Sequence, residues 1–111
     1  MVDSMVGVAA GTQRRILRFE IRVDDKLHEI AAGDVVLVSE YRGRNLGGDA
    51  SERVEVWVDA TLPERWPTEQ GDVRRVQVFG TGQRLPRNAG AWVGSAVSGP
   101  FVWHVLEMVG E

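Results

Sequence analysis

Alternation with a period of two constrains this chain more than any other feature. Leu17, Phe19, Ile21 and Val23 alternate with Arg18, Glu20 and Arg22, and Val54, Val56 and Val58 alternate with Glu55 and Trp57. That spacing places apolar side chains on one face of an extended strand and polar ones on the other. The 18 valines and 13 glycines, with no run of helical periodicity, favour strands broken by tight turns over helices. Strands are expected over 16–23, 27–31, 35–42, 53–58, 73–79, 91–97 and 101–109. Seven short strands separated by Gly, Pro, Asp and Asn predict an all-β fold, an antiparallel β-sandwich or a small barrel.

The turn Asp24-Asp25-Lys26 predicts a hairpin between the first two strands. Val35 to Val38 is apolar on both faces before the strand turns amphipathic, so that strand is expected to start deep and run out to solvent. The last strand, apolar apart from His104 and Glu107, is expected to be central. Trp57 falls on an otherwise polar face and needs a cover. The connection Asp59 to Asp72, with Pro63, Trp66 and Pro67, is the natural one. In it Trp66 either staples the connection to the sheet or is offered to a partner.

A chain of 111 residues is the size of one domain. Residues 1–12 are small and apolar without periodicity and read as a flexible arm that could dock on a neighbouring copy; 13–111 read as a single β domain. With no cysteine there is neither a disulfide framework nor a thiolate metal site, which suits a reducing, cytoplasmic setting. The net charge of −3 gives no global attraction to nucleic acid or anionic lipid. No apolar run reaches the roughly 18–20 residues that cross a bilayer, and the first residues lack the basic start of a signal peptide, so a soluble protein is expected. Twelve of the 13 basic residues are Arg, a bias that fits GC-rich coding.

Chemistry-bearing motifs are sparse. The loop Gly80-Thr81-Gly82 lacks the Gly-Lys-Ser/Thr ending of a phosphate loop and leads into no helix, so it reads as a β-turn, or as a partner loop in which Thr81, Gln83, Arg84 and Arg87 supply polar contacts. His28 and His104 would need Asp24, Asp25 or Glu107 to complete a zinc site and are read more simply as hydrogen-bonded histidines. His104 with Ser95 or Ser98 and a carboxylate could be cast as a nucleophilic triad, but nothing marks an oxyanion hole. If the first and fifth strands were adjacent, Arg18, Arg22 and Arg75 would share an anion-binding surface.

Several segments taken together carry a resemblance: Arg18-Phe19-Glu20, Val23-Asp24-Asp25, His28, Val54 to Trp57, Phe79-Gly80-Thr81-Gly82-Gln83 with Leu85-Pro86, Val93-Gly94-Ser95, and Val102-Trp103-His104-Val105-Leu106-Glu107. Over roughly residues 16–107 the chain resembles a family of small all-β proteins of unknown function from actinobacteria and their phages, especially mycobacteriophages. The resemblance implies no activity to carry over; it implies a phage accessory protein made in the cytoplasm of the infected bacterial host. The leading expectation is a non-enzymatic binding protein without cofactor or metal. It would engage a host protein or sequester a small ligand through Trp66, Arg65, Thr81, Gln83, Arg84 and Trp57. The alternatives are a virion or assembly component docking through the N-terminal arm, and a small metal-dependent or hydrolytic enzyme using His28 and His104.

Overall fold

The structure, a computed structural model, describes residues 11–41 and 52–110. Residues 1–10 of the expected arm and residues 42–51 lie outside the described residues, whereas Thr12, expected in the arm, opens the first strand. The described residues form seven strands: β1 Thr12–Arg22, β2 His28–Ala31, β3 Asp34–Glu40, β4 Arg53–Pro63, β5 Val73–Gly80, β6 Ala89–Ser98 and β7 Phe101–Met108. They form two antiparallel sheets packed face to face, one of order β1-β4-β3 (sheet A) and one of order β2-β5-β7-β6 (sheet B). Of the two expected architectures this is the sandwich, with no closed barrel. Among the described residues no helix is long and apolar enough to cross a membrane.

Alternation in β4 builds the core. Val54, Val56, Val58, Ala60 and Leu62 are all buried, and they meet Ile30, Val76, Val78, Ala96 and Val105 of sheet B, with Ile21 of β1 beside them. Each fully buried valine or leucine contributes about 1.5–3 kcal/mol relative to exposure. Leu17, Phe19 and Ile21 face inward as their spacing predicts. β7 lies between β5 and β6, the central place expected of it.

Three expectations are corrected. β1 and β2 do not form a hairpin: β1 pairs with β4 in sheet A and β2 with β5 in sheet B, so Asp24-Asp25-Lys26 carries the chain across the sandwich. Asp24 organises that crossing, accepting from the Lys26 backbone N–H at 3.1 Å and bonding the His28 ring at 2.7 Å. β3 is an edge strand that does not start deep. A bulge between Val35 and Leu37 turns Val35 and Val38 toward the interior and leaves Val36 and Leu37 55% and 52% exposed. The arginine patch does not form, because β1 and β5 lie in different sheets and Arg18, Arg22 and Arg75 therefore share no surface. Arg18 instead pairs with Glu55 and Glu20, and Arg75 with Glu29.

One glycine closes an edge of the sandwich. A Cβ on Gly94 would collide with the Val38 side chain, so its absence lets β6 approach β3 closely where the two sheets meet. At an end of the sandwich Arg74 donates to the Gly33 carbonyl at 2.7 Å and pairs with Glu107 at 3.3 Å.

Candidate groove on the outer face of sheet B

Phe79, Leu106 and Met108 point away from the interface between the sheets, yet all three are buried in a cluster of their own. The connection from β5 to β6 folds back over them. Its tight turn is held twice, by Gln83 N–H donating to the Gly80 carbonyl at 3.2 Å and by Gly80 N–H donating to Gln83 Oε1 at 3.0 Å. Gly82 supplies the positive φ of 86° that this turn requires. Farther on, Val109 N–H donates to the Asn88 carbonyl at 2.8 Å and ties the exit of the connection to the end of β7.

Between this connection and β6 lies a groove of about 300 Å³. Phe79 and Leu106 form part of its floor, the turn from Gly80 to Gln83 and Leu85 form one wall, and Trp92 forms the other, with His104 on its surface. Trp92 is 65% exposed. It also borders a depression of about 330 Å³ along Val35 to Val38 at the β3–β6 edge.

Trp92 is exposed but not free. Its Nε1–H donates to Ser95 Oγ at 2.9 Å, Ser95 Oγ is 2.7 Å from His104 Nδ1, and His104 Nε2 is 2.9 Å from Thr81 Oγ1. Thr81 Oγ1 reaches the Val102 carbonyl at 3.5 Å. One proton arrangement satisfies every link: Trp92 donates to Ser95, Ser95 to Nδ1, the Nε2–H tautomer of His104 to Thr81, and Thr81 to the carbonyl. The chain runs from β6 through β7 to the turn, so it fixes both walls of the groove to the sheet beneath.

Irregular register makes this possible. Trp92 lies opposite Leu106 and Ser95 opposite His104, so three steps along β6 match two along β7. The bulge turns Trp92 and Ser95 to the same side, where strict alternation would put them on opposite faces. That is why simple alternation missed Trp92. Ser95 and His104 do meet, as the triad reading had them, but Thr81 occupies the other ring nitrogen where a triad would have a carboxylate.

The other singled-out residues are scattered. Thr81 and Gln83 line the groove, and Arg84 is exposed between the lining residues Gln83 and Leu85. Trp66 is half-buried against the main core with the Arg15 guanidinium 5.7 Å from its ring, so it staples the β4–β5 connection and does not cover Trp57. Arg65 is exposed, its carbonyl accepting from Glu69 N–H at 3.1 Å. Trp57 is half-buried on the outer face of sheet A between Arg18 and Leu37, and its Nε1 is buried without a described partner.

The two histidines do not meet. His28 lies opposite Val76, which lies opposite Glu107, and His104 is an odd number of residues from Glu107, so the rings are on opposite faces of sheet B. Among the described residues no three His, Asp or Glu side chains gather as a metal site. The zinc-type reading through both rings is corrected on that geometry.

Fold and groove together define a small two-sheet antiparallel β-sandwich with a covered outer face. More particularly, the chain belongs to the family described as Domain of unknown function (DUF7352), whose match spans residues 12–111. Comparison with curated proteins and with solved structures gives no match.

Proposed function

We propose that this chain is a non-enzymatic binding module that holds a small, largely apolar molecule in the groove between the Gly80–Leu85 turn and Trp92. The observation that carries this reading is the state of Trp92. Its ring is mostly in water, yet a hydrogen-bonded chain of four side chains fixes its orientation beside an apolar floor. An exposed indole held in place is a preformed binding surface, because the entropy of orienting it is lost on folding and not on binding. The donation from Trp92 Nε1–H also draws electron density from Ser95 Oγ, which supports binding over nucleophilic chemistry at that hydroxyl.

The Arg-rich composition and the resemblance to phage proteins support a setting in the cytoplasm of an infected actinobacterial host. A second reading, engagement of a host protein, draws support from Val97 and Val102, which pair across β6 and β7 and extend exposed apolar surface beyond the groove. A library of small aromatic and aliphatic compounds, screened by ligand-observed NMR, separates the readings. Binders are expected that lose at least tenfold in affinity with Trp92→Ala and keep it with Val97→Ser. Equal binding to the wild type and Trp92→Ala would contradict the groove.

A further inference from the structure

Charge is distributed unevenly along this chain. None of its 16 acidic residues lies between Val73 and Leu106, the span that supplies both walls and the floor of the groove. The acids elsewhere on sheet B are engaged, Glu29 by Arg75 and Glu107 by Arg74. Arg84 and Arg87, both exposed on the β5–β6 connection, form no ion pair with any described residue. They differ in this from Arg14, Arg18, Arg53, Arg74 and Arg75 on the strands, each of which has an acidic partner, and from Arg15, which lies over the Trp66 ring. A net-negative protein thus keeps its groove free of acid and places uncompensated guanidinium groups on the loop that walls it.

The polar groups at the rim point to the same chemistry. Gln83 turns its carbonyl oxygen to Gly80 N–H, which leaves its two amide N–H donors for another partner. Beneath them the floor is aromatic and aliphatic. A volume of about 300 Å³ stands at the small end of the roughly 300–1,000 Å³ range of ligand pockets and suits a ligand of one or two fused rings.

We propose that the groove takes a small aromatic carboxylate, its ring on Trp92 and Leu85 over the Phe79–Leu106 floor and its carboxylate toward the Gln83 amide and the Arg84 and Arg87 guanidinium groups. This rests on the groove being the binding site. The two ideas fail differently. Isothermal titration calorimetry at low salt with indole-3-acetate, indole-3-acetamide and tryptamine varies the charge on one ring system.

The acetate is expected to bind at least tenfold more tightly than the amide, and tryptamine least. The double variant Arg84→Gln/Arg87→Gln, at two exposed positions, is expected to bring the acetate down to the amide and leave the amide unchanged. Equal affinity for acetate and amide, or an acetate affinity that the double variant does not change, overturns the carboxylate assignment while leaving the groove. Failure of all three rings to bind overturns both.

Discussion

The outer faces of the two sheets carry tryptophans in opposite circumstances. On sheet A, Trp57 lies half-buried between Arg18 and Leu37 with its Nε1 enclosed and without a described partner, amid charges that neutralise one another. Glu55, although on this outer face, is only 3% exposed and takes Arg18 at 3.0 Å, and Arg14 grips Asp59 through two hydrogen bonds at 2.9 and 2.6 Å. On sheet B, Trp92 is exposed, its Nε1–H is satisfied, and Arg84 and Arg87 on the adjoining connection form no ion pair with any described residue. Sheet A pairs the charges of its outer face with one another, whereas the connection on sheet B keeps some in reserve beside an apolar floor. A face that satisfies its own charges has little left for a ligand; a face that fixes an aromatic ring and leaves donors free is prepared for one.

Substitutions can break or sharpen this contrast. The largest effect is expected where the faces share a foundation. Leu62→Ala empties the core between the sheets and should cost about 2–5 kcal/mol in denaturant unfolding, with the signals of both sheets lost in one transition. Next, Arg18→Met leaves Glu55 enclosed with fewer partners and should cost about 1–3 kcal/mol. Adding Glu55→Leu should recover much of that loss, as expected if pairing is what sheet A's outer face requires. Ser95→Ala should cost only about 0.5–1.5 kcal/mol, yet raise the mobility of Trp92 in time-resolved fluorescence anisotropy and weaken ring binding several-fold.

The smallest effect is in pH dependence. Burial pushes the Asp24 carboxyl up, but the hydrogen bonds from His28 and Lys26 N–H, with the charges of both residues, outweigh it and hold the carboxyl below its ordinary value. The hydrogen bond from Arg14 does the same for Asp59 against a smaller opposing effect of burial. With folded values depressed, the unfolded chain takes up protons first as pH falls. The stabilisation is therefore complete above the ordinary Asp value near about 3.9 and is lost as pH drops through the folded values. Asp24→Asn and Asp59→Asn should each flatten the acid limb of a stability–pH curve measured below about pH 4.

Much of the scaffold can be read from alternation, because burial on one face imposes a period of two: β1 and β4 put inward the residues their spacing indicates. Pairing is harder to read. Asp24-Asp25-Lys26 has the composition of a hairpin turn, but which sheet β2 joins depends on contacts with β5, far along the chain. Val35 to Val38 suggests depth, but β3 pairs with β4 alone and a bulge leaves Val36 and Leu37 exposed. The groove was legible in fragments, since Thr81, Gln83 and Arg84 stood out on the loop. Trp92 did not, because a register shift between Trp92 and Gly94 leaves no mark in residue types beyond the glycines near it.

The chain has four tryptophans, and so four indole N–H resonances, which report both faces and the core at once. Titrating a ring compound that binds, followed by two-dimensional ¹H–¹⁵N NMR, tests most directly whether sheet B's groove is the receiving surface. The expected result is a saturable shift of the Trp92 indole resonance while those of Trp57, Trp66 and Trp103 stay in place. A shift at Trp57 or Trp66 with Trp92 unmoved would contradict it.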